Sequence, residues 1–290
     1  MPLRDQLYAA LVALIWGLAF IVVKYGVEEL PPLMLTAMRF LFTAIPAVFF
    51  IPAPKTRPWI VIAYGLVLGV GQFGFVFTAM AMGLSVGLTA IVVQTQVFFT
   101  IILTVIVFRE RPMAHQIAGA VIAFAGVALI GQAKAGDVVF VPFLMVIAGA
   151  FCWGSANVIG KAAGRIDMLS FVVWSSLVSP IPLVILSLLL EGRAGVDALM
   201  PPSWTIVVVI LLLAWPSTLF CFGMWSHLLS RYPAASVAPF ALLVPLVGLV
   251  AGAVFLGERI GIIELAGGSL VMAGLTCVLF WPRLKRAVRF

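Results

Sequence analysis

Much of the stretch from Ser85 to Val127 is written a second time further along the chain. That duplication limits what the chain can fold into more than any other feature does. An apolar run (Val86–Phe108) meets a charged corner, Arg109-Glu110-Arg111, and a second apolar run (Met113–Gln132) follows. The same order returns over 233–280, with Glu258-Arg259 as the corner. At an offset of 148 (258 − 110), Glu110, Arg111, Ala118, Gly119, Ala125 and Gly126 fall on Glu258, Arg259, Ala266, Gly267, Ala273 and Gly274. Upstream, Trp16-Gly17-x-Ala19 with Lys24 recurs as Trp153-Gly154-x-Ala156 with Lys161, at an offset of 137 (153 − 16). The offsets differ by 11 residues, which a longer polar connection around 191–203 absorbs. Self-similarity of this kind sets the architecture before local propensity does.

The runs between the corners identify the solvent. Residues are 64% hydrophobic and 9% charged, against roughly 25% charged in soluble domains. Ten runs reach the length of about 20 apolar residues that a helix needs to cross hydrocarbon. They lie near 6–25, 32–51, 58–80, 86–108, 113–132, 138–160, 168–190, 204–228, 234–256 and 261–281. Prolines mark the breaks: Pro31-Pro32, Pro52-Ala53-Pro54, Pro112, Pro201-Pro202 and Pro233. The runs are continuous rather than alternating, which argues against strands. The fold class expected is therefore all-α integral membrane, with ten transmembrane helices. The first run lacks a small-x-small cleavage site and carries half of the Trp-Gly repeat, so it reads as a helix rather than a cleaved signal. Cys152, Cys221 and Cys277 lie inside apolar runs without metal-ligand spacing, and read as small core residues.

Charge gives the expected orientation. With the N-terminus inside, the inner segments hold Arg4, Lys55, Arg57, Arg109, Arg111, Lys161, Arg165, Arg231, Arg283, Lys285, Arg286 and Arg289, which is 12. The outer segments hold Lys24, Lys134, Arg193 and Arg259, which is 4. This split favours both termini in the cytoplasm. Five spans per repeat is an odd number, so the halves (6–132 and 138–281) insert upside down relative to each other. That is the inverted-repeat plan of many secondary transporters, with the substrate site near the midplane.

Several motifs carry a family resemblance. In the first half they are Trp16-Gly17 through Lys24, Pro31-Pro32-Leu33-x-Leu35 with Arg39-Phe40, Gln94-x-Gln96-x-Phe98-Phe99-Thr100, and Glu110-Arg111 with Gln116 and Gly119. In the second half they are Arg231-Tyr232, Val237-Ala238-Pro239, Leu242-Leu243-Val244-Pro245, Gly248 and Glu258-Arg259. From about residue 5 to 281 the chain resembles the EamA-type drug/metabolite transporters. Within that superfamily it looks closest to bacterial inner-membrane exporters of amino acids and related metabolites, the cysteine/O-acetylserine and aromatic amino-acid exporters among them. The resemblance implies a ten-helix, multi-pass transporter with a central cavity, acting without a cofactor.

Candidate substrate-binding residues follow from polar and aromatic positions inside the runs. Thr89, Gln96, Thr100 and Thr104 share one helical face. Gln94 lies roughly 200° from Gln96, at about 100° per residue. The expectation is that Gln96 faces the pathway while Gln94 bonds a neighbouring helix; the bland reading makes all of them interhelical ties. Gln72, with Phe75 one turn on, offers a donor and an acceptor suited to a zwitterion, or a packing contact. Trp16, Phe20 and Lys24 recur as Trp153, Asn157 and Lys161, each set on one face. Their lysines either draw a carboxylate into each mouth or snorkel to headgroups. Arg39 is the cation well inside a run, and it faces a substrate carboxylate or a helix-end carbonyl. Trp174 and Trp215, and Phe98 and Phe99 from the motif above, are aromatic candidates for a pocket floor or a lipid face. Pro216, Pro239 and Pro245 mark the eighth and ninth runs as hinge helices. The glycines at 119, 126, 267 and 274 mark close helix packing.

What is missing narrows the function. All ten acidic residues lie in loops or near run ends, whereas a proton-coupled pump for organic cations is expected to hold a midplane carboxylate. No HExxH, phosphate-cradling loop or intramembrane nucleophile–base pair is present, so no catalytic or metal residue is assigned. The expectation is a secondary transporter that exports small zwitterions, amino acids above all. It acts as a monomer, with a small metabolite and the lipid bilayer as partners and no nucleic acid. The alternatives are a broad drug or cation efflux protein and, from another class, an intramembrane enzyme or assembly factor. The expected driving force is the substrate's own gradient.

Overall fold

Helix starts follow local chemistry. Proline stands at the head of the helices beginning Pro32, Pro58 and Pro180, where its missing N–H costs nothing. Ser85, Asp167 and Ser203 cap others by accepting N–H groups of Leu88, Ser170 and Ile206. The computed structural model describes residues 1–164 and 166–287. Arg165 and Arg289 of the charge count lie outside the described residues, as do the side chains of Arg283, Lys285 and Arg286.

Nine described helices are long and apolar enough to cross a membrane, and a bent pair makes a tenth. They are α1 (Leu3–Glu29), α2 (Pro32–Phe49), α3 (Pro58–Ala81), α4 (Val86–Phe108), α5 (Ala114–Lys134), α6 (Phe140–Ala162), α7 (Met168–Ser176 with Pro180–Leu190), α8 (Trp204–Arg231), α9 (Ala238–Leu256) and α10 (Ile262–Trp281). Short connections make successive spans antiparallel. The end of the bundle that holds residue 3 is called the near end below, and the opposite one the far end.

The expected runs reappear with their ends shifted by a few residues, but several are not regular inside. The seventh run bends by 40° ahead of Pro180, because proline cannot donate to the preceding turn. The ninth starts with a short helix (Ala234–Val237) and a 3₁₀ stretch (Ala238–Leu242) that contains Pro239. Pro245 sits in the first turn of the regular part, Leu243–Leu256, and does not break it. α3 and α8, equivalent helices of the two halves, each widen into a π-helical segment, Gly65–Phe73 and Trp215–Phe220. Such segments often mark functional positions.

Exchanging each helix of the first half for its counterpart reproduces the main helix contacts. α1 packs on α9 as α6 packs on α4, and α1 on α8 as α6 on α3; α2 meets α7, and α5 meets α10. The symmetry extends to single residues. A Cβ on Gly17 would lie 2.5 Å from Val247 Cβ, and one on Gly154 would lie 2.8 Å from Phe99 Cβ. Offsets of 137 and 148 convert the first pair into the second. Gly119 faces Gly274 and Gly126 faces Gly267 along the α5–α10 contact, again reciprocally. α4 and α9 each end on a left-handed residue, Arg109 (φ 55°) and Gly257 (φ 64°), at equivalent positions. The molecule is two inverted five-helix repeats around one pseudo-two-fold axis.

Candidate functional site

The sharpest polar contact inside the bundle joins α6 to α4. Asn157 Nδ2 donates to Gln96 Oε1 at 2.8 Å and to Thr100 Oγ1 at 3.0 Å, while Thr100 donates onward to the Gln96 carbonyl. Gly154 makes this possible, since without a Cβ it lets α6 close onto Phe99 and Thr100. The bonding therefore differs from the sequence expectation for the two glutamines. Gln96 is tied to a neighbouring helix, whereas Gln94 makes no hydrogen bond among the described residues and is half-buried. The 3₁₀ turn Val93–Thr95 lies between the two faces.

A second group surrounds Arg39 on α2. Among the described residues it is the one buried basic side chain, 4% exposed, and no acidic side chain pairs with it. Its Nη2 donates to Thr218 Oγ1 at 3.1 Å, and its guanidinium lies 4.0 Å over the Phe73 ring, with Phe40 and Phe77 within 6 Å. Thr218 belongs to the π segment of α8 and Phe73 to that of α3, so the cation sits between the two irregular segments. Thr218 in turn donates to the Leu213 carbonyl at 2.8 Å. Two buried side-chain atoms lack a hydrogen-bond partner: Arg39 Nε, and Oε1 of Gln72, which precedes Phe73 in sequence. One is a charged donor and the other a neutral acceptor.

The remaining candidates separate. Trp16 meets the rings of Phe222 (edge to face) and Trp225 (tilted) at 5.6 and 5.4 Å and donates to the Ser217 carbonyl, again in the π segment of α8. Trp153 is half-buried between two apolar clusters. Phe99 meets the rings of Phe124 and Phe151 edge to face. Phe98 is 0% exposed, so it packs the core rather than floors an open cavity. Trp174 donates to the Ile51 carbonyl, tying α7 to the turn after α2. Trp215 is 45% exposed and donates to Phe42 O, and Phe75 is exposed as well; neither joins the amide pair. Both repeat lysines have carboxylate partners within the chain, Lys24 with Glu28 and Lys161 with Glu110. Thr218 escaped the sequence reading, because a threonine signals nothing until the partner helix is placed.

Links join the repeats at both ends of the bundle; at the near end Lys161 pairs with Glu110, Tyr232 donates to Asp5 and Ser170 donates to the Pro52 carbonyl. Four links join the repeats at the far end: Glu191 to the Leu33 N–H, Glu258 to the Val86 and Gly87 N–H groups, Lys134 to Glu264, and Ser203 to Glu29. The near end carries an open basin of about 710 Å³, lined by Lys55, Thr56, Arg57, Trp59, Ile60, Ala162 and Ala163. None of the candidate site residues lines it.

An inverted repeat with broken helices, a buried unpaired cation and amides at the helix crossings defines a membrane transporter. The chain belongs to the EamA-like transporter family, whose model matches residues 4–132 and 141–280. It is 39% identical to a "Probable amino-acid metabolite efflux pump" of Salmonella typhimurium, over 100% of this chain and 99% of that one. It is 38% identical to a protein of the same description from Escherichia coli, with the same coverage. A solved structure 18% identical superposes with a TM-score of 0.63, covering 97% of this chain and 98% of that one, which supports the fold.

Proposed function

We propose that the protein exports amino acids or closely related zwitterionic metabolites across the bacterial inner membrane, by transport and not by catalysis. The observation that carries this reading is the full-length likeness to two efflux pumps described as acting on amino-acid metabolites. The interior chemistry supports it. All ten acidic residues sit at helix ends or in connections, so an organic cation would find no counter-charge at mid-depth. A zwitterion finds complementary groups: the Arg39 guanidinium for its carboxylate, and the unpartnered Gln72 carbonyl beside Phe73 for its ammonium. Gln94, Gln96 and Asn157 add neutral hydrogen-bonding groups that leave no buried charge when the site empties. The repeats 6–132 and 138–281 are the moving units, and the near end, which holds residue 3, Lys55, Arg57, Arg109, Arg111 and Lys161, faces the cytoplasm.

Everted membrane vesicles supplied with a panel of radiolabelled amino acids test the function. Saturable uptake of at least one, absent from vesicles without the protein, is expected; no uptake of any would refute it. A cysteine at Arg193 should react with an impermeant maleimide outside intact cells and one at Lys55 should not. The reverse pattern would overturn the orientation.

A further inference from the structure

The carboxylate of Glu258 performs a task that the repeat assigns to a second residue. Glu258 follows the left-handed Gly257 that ends α9. Its Oε1 accepts the Val86 N–H at 2.6 Å and its Oε2 the Gly87 N–H at 3.0 Å, so a residue of the second repeat caps the first turn of α4. Charge-assisted bonds onto the positive end of a helix are among the stronger ties available at a protein surface. The far halves of α4 and α9 pack tightly behind this tie. A Cβ on Gly248 would sit 2.6 Å from Ala90 Cβ, and one on Gly87 would sit 3.0 Å from Leu249 Cδ1.

The offset of 148 turns Glu258 into Glu110, Gly257 into Arg109, and the pair 86–87 into 234–235. The equivalent tie at the near end would join Glu110 to the first turn of the ninth run. Here, instead, the half-exposed Glu110 pairs with Lys161 at 2.5 Å, and that ammonium also lies 5.2 Å above the Phe108 ring. Among the described residues, no packing comparable to that of the far halves joins the near half of α4 (Gln96–Phe108) to the start of the ninth run.

We infer that Glu258 and Glu110 are alternating latches that set which end of the transporter is shut. In this structure Glu258 closes the far end. When the far end opens, Glu258 releases residues 86 and 87 to water. Glu110 then leaves Lys161 and takes the N–H groups of residues 234 and 235, closing the near end. This rests on the transporter reading above, and it makes the two glutamates positioning residues that act through helix ends rather than on substrate.

Hydrogen–deuterium exchange of the full chain in lipid nanodiscs, without substrate, reads the latches directly. Peptides covering 84–90 and 232–238 are followed. Glu258→Gln should speed exchange at 86–87 and slow it at 234–235, each by about tenfold, the factor expected for losing a hydrogen bond to a charged group. Lys161→Gln frees Glu110 and should shift both peptides the same way. Adding Glu110→Gln to Lys161→Gln should cancel that shift. If Glu258→Gln fails to fold, the Lys161→Gln and double-variant pair decides alone. Unchanged exchange at 234–235 in Lys161→Gln, or a shift that survives Glu110→Gln, would overturn the latch. Because no substrate is present, that failure is separate from a failure of amino-acid uptake in vesicles.

Discussion

The α5–α10 contact offers a sharp test of the packing, because its closeness depends on atoms that glycine lacks. In Gly119→Ala the new Cβ falls 2.7 Å from the Gly274 carbonyl oxygen and 2.7 Å from Val278 Cγ2. A carbon normally approaches a carbonyl oxygen no closer than about 3.3 Å, so the helices must part by roughly 0.6 Å. The valine side chain can rotate away, but the backbone oxygen cannot. Overpacking of this kind costs about 1–3 kcal/mol, against a gain of about 1 kcal/mol from replacing a mid-helix glycine by alanine. The net expectation is a loss of about 1 kcal/mol. Gly160→Ala is the matched control, since its nearest neighbour would be Tyr64 Cε2 at 3.7 Å; it keeps the propensity gain and should stabilise by about 1 kcal/mol. The opposite signs remove the ambiguity of a single destabilised variant. By the two-fold relation Gly267→Ala should behave like Gly119→Ala, its Cβ lying 2.7 Å from the Gly126 carbonyl. Unfolding by SDS titration in mixed micelles, followed by tryptophan fluorescence, measures the difference. A Gly119→Ala protein as stable as Gly160→Ala would refute the close approach.

Three further outcomes follow from the interior. Asn157→Ala leaves Gln96 Oε1 without its donor and should lower vesicle uptake about tenfold at unchanged expression; full uptake in both this variant and Gln96→Ala would remove the pair from the pathway. Arg39→Met gives up a cation whose burial cost is offset by its ring contacts and the Thr218 bond, so micelle stability should change by about 1 kcal/mol or less while uptake falls at least about tenfold. Retained uptake would leave Arg39 a structural group. Arg109→Gly relieves a left-handed residue where the other repeat already has glycine, and a gain of roughly 1 kcal/mol in the same titration is expected; a loss would contradict the strained backbone.

The sequence by itself determined the membrane solvent, the spans to within a few residues, and the inverted repeat. These rest on composition, run length and the parity of five, and none needs a partner helix to be placed. It also pointed to Gln96, Asn157, Arg39 and Gln72, since a polar group within an apolar run is conspicuous wherever it points. Only the tertiary structure decided what each of them meets. Gly154 brings α6 against the Gln96 face of α4, so Gln96 is bonded across the helices and Gln94 is not. Both lysines of the repeat meet carboxylates, and Phe98 goes to the core. The π segments of α3 and α8 enclose Arg39, and their effect on side-chain direction is invisible to a reading at 100° per residue. The difference between Glu258 and Glu110 is likewise absent from the sequence, where the two corners match.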